Sequence, residues 1–469
     1  MSTDDAVTFM VAGGKARFSG VLYNRLASVT SYDHTDKDVF TALDRTQFAL
    51  DYRAPSVLHV YLEARVDWLF SAIGPDAAAA PRGTQKYVFT HIIEPREAYA
   101  ELANDKIDFR VGNQVFTWGH NELISPVDVL NPLDLRDILS PDLYKLPVIA
   151  ASTTVALGPR ASVSLVVEPF FVPSQIPLLG QNFSVIAPGS TLERNLGKAL
   201  GSIDRTLDSR LSQLQATKLP DDNPLNSTVG ARLQYRLGHF DLAATGIYGW
   251  NRLPVVRLDP DLQQVLTNPA PAADATARVG QKVAANQQLV SSEYTRRAVF
   301  ALDGATTIKA FTFKLDIAAA PHTTVYATTA TPLALTELSG VAGADYAHGE
   351  TLQLSLSFYA NGYLQVPAGS VLSFVEPSKD TGARRRDVWQ WGVVASARAL
   401  LWHQRIELRA RGIFDGSVLG GTVLATATYH LNHLHHLVLG GLFLGGRSGT
   451  LFDYFQRNNE VFYEYRFSF

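Results

Sequence analysis

The chain has 469 residues, a formal net charge of −3 and no cysteine, which excludes disulfides, thiol catalysis and thiolate metal sites and gives no argument for nucleic acid. Hydrophobic residues make up 46% and charged residues 18%, below the roughly 25% charged of ordinary soluble domains. Even so, no run of about eighteen apolar residues occurs, which excludes a transmembrane helix.

Residues 1–14 lack the basic start and long apolar core of a signal peptide, so the sequence reads as a mature form beginning at an added Met1. Lys15 to Leu26 is a first strand. Gln47 to Arg53 alternates Phe48, Leu50 and Tyr52 with Gln47, Asp51 and Arg53, and Ala54-Pro55-Ser56 turns the chain. Leu58 to Phe70 is the longest alternation. Leu58, Val60, Leu62, Ala64, Val66, Trp68 and Phe70 share one face, and His59, Tyr61, Glu63, Arg65 and Asp67 share the other. A strand crossing a bilayer needs about 9–11 tilted residues, whereas soluble strands rarely alternate so far. After an Ala/Pro/Gly loop from Pro75 to Gly83, Lys86 to Leu102 and Ile107 to Trp118 form a hairpin about Asn104-Asp105.

Gly119 to Leu146 carries Pro126, Pro132 and Pro141 and cannot continue as a strand. Val148 to Leu157 and Ala161 to Val167 make another hairpin. Between Ser190 and Lys218 the period changes. Leu192, Leu196, Leu200, Ile203, Leu207, Leu211 and Leu214 recur at helical spacing, Ser190 with Glu193 reads as a capping box, and Pro220 stops the run. This predicts an amphipathic helix over 190–218 in a long external loop, packed on the barrel mouth or inside it, or offered to a partner.

Val229 to Leu237 and Phe240 to Trp250 alternate about Gly238-His239, and Asp261 to Leu266 reads as a short helix. Strands follow over Gln288–Leu302, Ile308–Val325, Thr336–Tyr346, Thr351–Val366, Val388–Trp402, Ile406–Phe414, Leu419–Leu431 and Leu434–Gly445. The last strand, Asn459 to Phe469, places Val461, Tyr463, Tyr465, Phe467 and Phe469 on one face and Phe462, Glu464, Arg466 and Ser468 on the other. It resembles the terminal strand of bacterial outer-membrane β-barrels. That resemblance implies that Tyr465, Phe467 and Phe469 act as a recognition signal for the barrel-insertion machinery.

The count is about eighteen strands, an even number as single-chain bacterial barrels require, and short turns alternate with mostly long loops. The predicted fold is therefore all-β: one transmembrane antiparallel up-and-down β-barrel over residues 1–469, with both termini on the short-turn, periplasmic side of a Gram-negative outer membrane. Its surroundings are the lipid bilayer and lipopolysaccharide. Trp68, Trp250, Trp389 and Trp391 fall near the outer ends of strands, where a membrane girdle of aromatic residues belongs.

With the apolar faces toward lipid, the polar faces line the lumen. Arg65 and Arg110 are pore-lining, and Arg232 and Arg236 with Arg409 and Arg411 suggest basic rungs that guide anionic solutes. The competing reading is that these arginines pair with Asp316, Glu407 or Glu464 across neighbouring strands.

The most distinctive stretch runs from Gly112 to Asp137. Gly112, Gln114, Trp118, Gly119, Asn131, Pro132 and Asp134 make a Gly-x-Gln…Trp-Gly…Asn-Pro-x-Asp pattern. It resembles a segment of the porin-like outer-membrane proteins grouped as domain of unknown function 1302, although His120-Asn121 departs from that family's polar run. The resemblance implies a location and a fold, not a substrate. Residues 119–146 are expected to enter the lumen as a plug or constriction, leaving the wall near Trp118 and including Asn131 and Asp134; the alternative is an ordinary external loop.

No Gly-x-Ser-x-Gly elbow, phosphate-binding loop, dinucleotide fingerprint or His-Glu-x-x-His occurs, so neither catalysis nor a cofactor is expected. His430, His433, His435 and His436 cluster at a short turn, where a solvated histidine is commoner than a metal ligand. The sequence therefore points to a channel or transporter. Export, passage of hydrophobic compounds, and a plugged docking barrel of an envelope complex with a periplasmic partner remain as alternatives.

Overall fold

The computed structural model describes residues 7–30, 38–55, 57–73, 87–140, 144–175, 215–221, 223–268, 273–376, 384–448 and 450–469. The chain begins with β1 (Val7–Val11), β2 (Gly14–Val29), β3 (Asp38–Arg53), β4 (Leu58–Ile73), β5 (Tyr87–Ala103), β6 (Ile107–Gln114), β7 (Val148–Ala156) and β8 (Ala161–Glu168). After β9 (Gln215–Lys218) come β10 (Thr228–Leu237), β11 (Phe240–Trp250), β12 (Val255–Leu258), β13 (Val290–Glu293), β14 (Arg296–Ile308), β15 (Phe311–Tyr326), β16 (Pro332–His348) and β17 (Leu352–Val366). The last five are β18 (Arg386–Leu401), β19 (Ile406–Asp415), β20 (Gly420–His430), β21 (His435–Gly446) and β22 (Glu460–Ser468).

Nineteen of these strands share one antiparallel sheet. It closes on itself because β2 pairs with both β3 and β22, the latter from Val21 opposite Ser468 to Val29 opposite Glu460. Removing β1, which pairs only with β2, leaves eighteen strands in the ring. β1 and β2 form a tight hairpin about Ala12 and Gly13, both at positive φ, the twist that a two-residue turn between right-twisted strands requires.

Closure makes the two faces of every strand see different solvents, and the alternation in the sequence follows from it. In β4, Leu62 and Trp68 point outward and exposed while Arg65 and Asp67 point inward and buried. In β22, Val461, Tyr463 and Tyr465 are exposed, whereas Phe462 and Glu464 are buried toward the lumen. Aromatic side chains gather at both rims. Trp68, Trp389 and Trp391 lie near the long-loop ends of their strands, and Phe240 and Phe311 lie beside short turns. This is the belt arrangement of a transmembrane barrel.

The connections on one side are short: 54–57, 104–106, 157–160, 238–239, 309–310, 349–351, 402–405 and 431–434. Those on the other side are mostly long, with 327–331 and 416–419 the brief exceptions. The strands read as Gln288–Leu302 and Ile308–Val325 leave a turn about residues 304–306, but these continue β14. The turn lies at Lys309-Ala310, where Lys309 adopts φ 57°. Gly304 sits on the outward face, where an added Cβ would meet Leu242 at 2.9 Å.

The helix expected over 190–218 lies outside the described residues as far as 214. Residues 215–218 are a strand, β9, which pairs in parallel with β13. Together with β12 they make a small sheet on the long-loop side. Two helices, α1 (Pro260–Thr267) and α2 (Ala273–Ala284), pack beside it through Leu262, Val265, Ala275, Val279 and Leu289. Only α1 matches a helix read from the sequence. α2 does carry an apolar face, Ala275, Val279 and Val283 at i, i+4 and i+8, but the surrounding Ala, Pro, Asn and Gln read as a loop.

Candidate functional site

Between β6 and β7 the chain leaves the wall for residues 115–147. The exit is prepared by Gly112, at φ +130°, where a Cβ would collide with the Ala98 carbonyl and meet Tyr99 Cα at 2.8 Å. Gln114 then turns its amide back into the wall, donating to the Ala150 carbonyl at 2.8 Å and accepting from Ser152 Oγ at 2.7 Å. Halfway along, Asn131 folds the segment onto its own two ends. Its Oδ1 accepts from the Phe116 N–H at 2.7 Å, and its Nδ2 donates to the carbonyls of Leu146 and Gln114 at 2.8 and 3.2 Å. One amide thus satisfies three backbone groups that no ladder reaches. The Pro132 carbonyl accepts from the Leu146 N–H beside it.

The first arm, 117–130, lies against the wall from β7 round to β19. Trp118 rests flat on the wall where Gly230 leaves room; a Cβ there would come within 2.9 Å of the indole. With Val127 and Leu130 it packs onto inward Val148, Val166, Ile247 and Val299. Gly119, at φ +98°, makes the bend that brings the following backbone to Asp316 of β15. The Asp316 carboxylate is wholly buried and accepts from the N–H groups of His120 and Asn121 and from Ser125 Oγ at 2.7 Å. Next to it, Asp303 of β14 takes both guanidinium nitrogens of Arg232, at 2.9 and 2.5 Å, and faces His120 Nδ1 at 2.7 Å. Further on, Leu123 and Ile124 reach Val341, Tyr359 and Val394.

The second arm, described over 132–140 and 144–145, lies against β2 to β5, with Leu139 reaching β21 and β22. Asp134 bonds Arg136 at 2.8 Å and Arg65 at 3.2 Å, and both arginines also hold Glu94. Asp137 sits between Arg25, at 2.7 Å, and Arg45, at 3.1 Å, with Ser140 Oγ accepting from both. Arg45 is also forked onto Asp67 at 2.7 and 2.8 Å. Leu139 enters an apolar patch of Ala27, Val438, Leu442 and Phe462. Burial alone would raise the Asp137 pKa, but the adjacent Arg25 and Arg45 outweigh it and hold the carboxyl down at about 2.

β14, which faces the first arm, and β2, which faces the second, stand nine places apart in a ring of eighteen, so they are diametrically opposed. The segment therefore touches the wall at both ends of a diameter. A separate brace, the ion pair between buried Glu168 and Arg252, ties the start of the following loop to the Leu130 carbonyl, 2.6 Å from Arg252 Nη2.

The structure brings several residues picked from the sequence together and leaves others apart. Arg65, Trp118, Asn131 and Asp134 meet in the segment and its wall. Arg110 lies nearer the short turns, pairing with Glu101 at 2.8 Å and Asp108 at 3.0 Å. It borders a polar cavity lined by Glu97, Gln114, Ser152, Thr154 and Phe116. The four rung arginines do not form one constellation. Arg232 is buried on Asp303, Arg236 is 66% exposed beside its turn and pairs with Asp241, and Arg409 pairs with Glu407 seven strands away from β10. Arg411 shares the inward face of β19, opposite Ser396. Pairing with acids is what the structure records, although Arg232 and Arg236 use Asp303 and Asp241, not the acids the sequence suggested.

Trp68, Trp389 and Trp391 face outward. Trp250 instead donates to the Asn226 carbonyl at 2.8 Å and lies under the Arg296 guanidinium, 4.6 Å from the ring centre. Tyr465, Phe467 and Phe469 share the outward face; Phe467 and Phe469 stack at 5.7 Å. The histidine cluster splits. His430 and His436 face each other across β20 and β21 with Nδ1 atoms 2.8 Å apart, while His435 bonds the Tyr465 hydroxyl at 2.6 Å. Arg25 and Arg45 were not singled out from the sequence. Their signal was the inward parity they share with buried neighbours on strands whose extents the sequence underestimates.

A model of the family described as "Protein of unknown function (DUF1302)" matches residues 31–404. No curated protein sequence matches the chain. Among solved structures, OccAB1 of Acinetobacter baumannii superposes with a TM-score of 0.50 at 8% identity, covering 100% of this chain and 99% of that one. OccK7 (OpdD) of Pseudomonas aeruginosa gives 0.46 at 9%, covering 98% and 99%. The outer membrane channel DcaP of Acinetobacter baumannii gives 0.42 at 11%, covering 98% and 99%. At such identities the similarity to OccAB1 concerns the fold.

Proposed function

The chain belongs to the DUF1302 family, and we propose that it is an outer-membrane channel or transporter whose lumen is gated by residues 119–146. The observation that carries this reading is the contrast between the two faces of the wall. The outside is an apolar, aromatic-rimmed band suited to lipid and lipopolysaccharide, and the inside is lined with paired charges. About eighteen strands enclose more space than wall side chains can fill, and a structural role alone gives no reason to line that space with ionisable groups. Short turns face the periplasm and long loops face outward, the usual orientation of such barrels.

The 119–146 segment acts as the constriction. It is held by ion pairs and backbone hydrogen bonds at two opposite walls, contacts that a solute or a partner carrying competing charges can exchange. A second reading, a permanently closed barrel that docks an envelope partner, is favoured by the reach of the segment across a full diameter.

Single-channel recording in a planar bilayer separates the two. Steady current from the intact protein supports an open constriction. Silence that is relieved by deleting residues 119–146 supports a gated one. Silence in both forms rejects transport in favour of docking.

A further inference from the structure

We propose that His120, Asp303 and Asp316 form a divalent-cation site at the junction between the lumen segment and the barrel wall. Their ligand atoms, one imidazole nitrogen and two carboxylate oxygens, all lie within 4.8 Å of one another. The three residues come from three elements: the first arm of the segment, β14 and β15.

Charge balance is the main argument. Asp316 is 0% exposed, and every donor it receives, two backbone N–H groups and a serine hydroxyl, is neutral. Asp303 has one counter-charge, Arg232. Of the neighbouring cations, Lys314 two residues along β15 is engaged by Asp345, and Lys145 is engaged by Asp128. Lys314 and Asp345 cancel and Glu122 is exposed to solvent, so buried Asp303 and Asp316 face one cation, Arg232, an excess of one negative charge with His120 neutral. A buried carboxylate without a cation is costly, and proteins normally pair it or use it to coordinate a metal.

The second argument is His120 itself. Its Nδ1 is buried and 2.7 Å from Asp303 Oδ2, yet makes no hydrogen bond there because the carboxylate lies off the direction of the ring nitrogen. A nitrogen placed beside two carboxylates without a proton partner is a metal-ligand arrangement. One imidazole with two carboxylates suits a first-row divalent ion such as Zn2+ or Mn2+. The His120 side chain is 23% exposed to the lumen, so water can complete the coordination. The rival way to balance the charge is a proton on His120, which would then pair with Asp303.

The test uses the full-length refolded protein in detergent and Zn2+ as the probe. Titration calorimetry and metal analysis after dialysis should give one bound equivalent. H120A should weaken binding by more than about tenfold, since it removes a ligand while the His120 N–H still holds Asp316. D316N should do the same, and thermal melting checks that each variant is folded. Replacing Zn2+ with Co2+ should give visible d–d bands that are absent in H120A. No Zn2+ uptake by the wild-type protein, or equal uptake by folded H120A, overturns the proposal and leaves a protonated His120 as the balancing charge. The assay needs no current, so it is decided separately from transport.

Discussion

Asp137 and Arg25 meet at 2.7 Å, the acid carried by a loop inside the lumen and the base by a strand of the wall. With Arg45 on the other side of the same carboxylate, the pair fixes one end of the lumen segment to β2 and β3. Removing Asp137 leaves Arg45 on Asp67 and Arg25 with only Glu464, at 3.8 Å, as counter-charge, a loss of about 1–3 kcal/mol. Asp137→Ala should therefore release the second arm. Amide exchange over residues 132–140 should speed up while the strands stay protected, and the single-channel current should rise. Unchanged exchange would mean that Leu139 and its apolar patch suffice.

The same carboxyl sets a pH limit. Burial pushes the Asp137 pKa up, Arg25 and Arg45 pull it further down, and the result is about 2. An undocked aspartate titrates near 3.9. A depressed folded pKa stabilises the docked form above the undocked value and loses that contribution as pH falls through the folded value. The second arm should stay in place from pH 8 to 5 and loosen between about 4 and 2, by roughly 2–3 kcal/mol. Exchange or current measured across this range checks it; loosening that begins near pH 6 would point to a histidine instead.

Gly119 should not tolerate a side chain. At φ +98° an alanine is strained, and its Cβ would meet Asp316 Oδ2 at 2.9 Å and crowd Ser125. Gly119→Ala should cost about 1–3 kcal/mol and free the first arm. Gly246→Ala, where nothing lies within 4 Å of the added carbon, is the control and should leave melting and exchange unchanged.

Phe469 closes the seam. Its N–H donates to the Gly20 carbonyl at 2.9 Å, its carbonyl accepts from the Gly20 N–H at 2.7 Å, and its ring lies 5.8 Å from Phe18. Phe469→Ala keeps the backbone bonds and removes the aromatic end. If this end is the insertion signal, assembly in cells should fall several-fold, read as loss of the heat-modifiable folded band, while refolding into synthetic vesicles changes little. Equal losses in both settings would assign the ring a packing role only.

The barrel was legible because period-two alternation follows directly from closure between two solvents, and it survives even where single boundaries are uncertain. Residues 58–70 illustrate this: Leu62 and Trp68 are exposed and Arg65 and Asp67 buried, as their alternation sorts them. The lumen segment was legible at its entry, since Pro126 and Pro132 cannot sit in a central strand. What it would touch was not legible. Asp316 and Asp303 are ordinary inward acids until the ring places them beside residues 119–125, nearly two hundred positions earlier in the chain. Arg25 and Arg45 were missed for the same reason: an ion pair across a closed barrel leaves no local spacing to read. The seven motif residues were noted as a pattern, but their purposes, such as Asn131 bonding three backbone groups, depend on a fold-back that alternation does not encode.

That fold-back at Asn131 has a mechanical consequence. Because the midpoint is stitched to the stalks at residues 114–116 and 146, the two halves of the segment are separate shutters on one hinge, each latched to its own wall. Unlatching one at Asp316 transmits no pull to the other at Asp137. If the segment gates the lumen as proposed, the barrel should open in steps, with two intermediate current levels, one for each shutter, between fully shut and fully open.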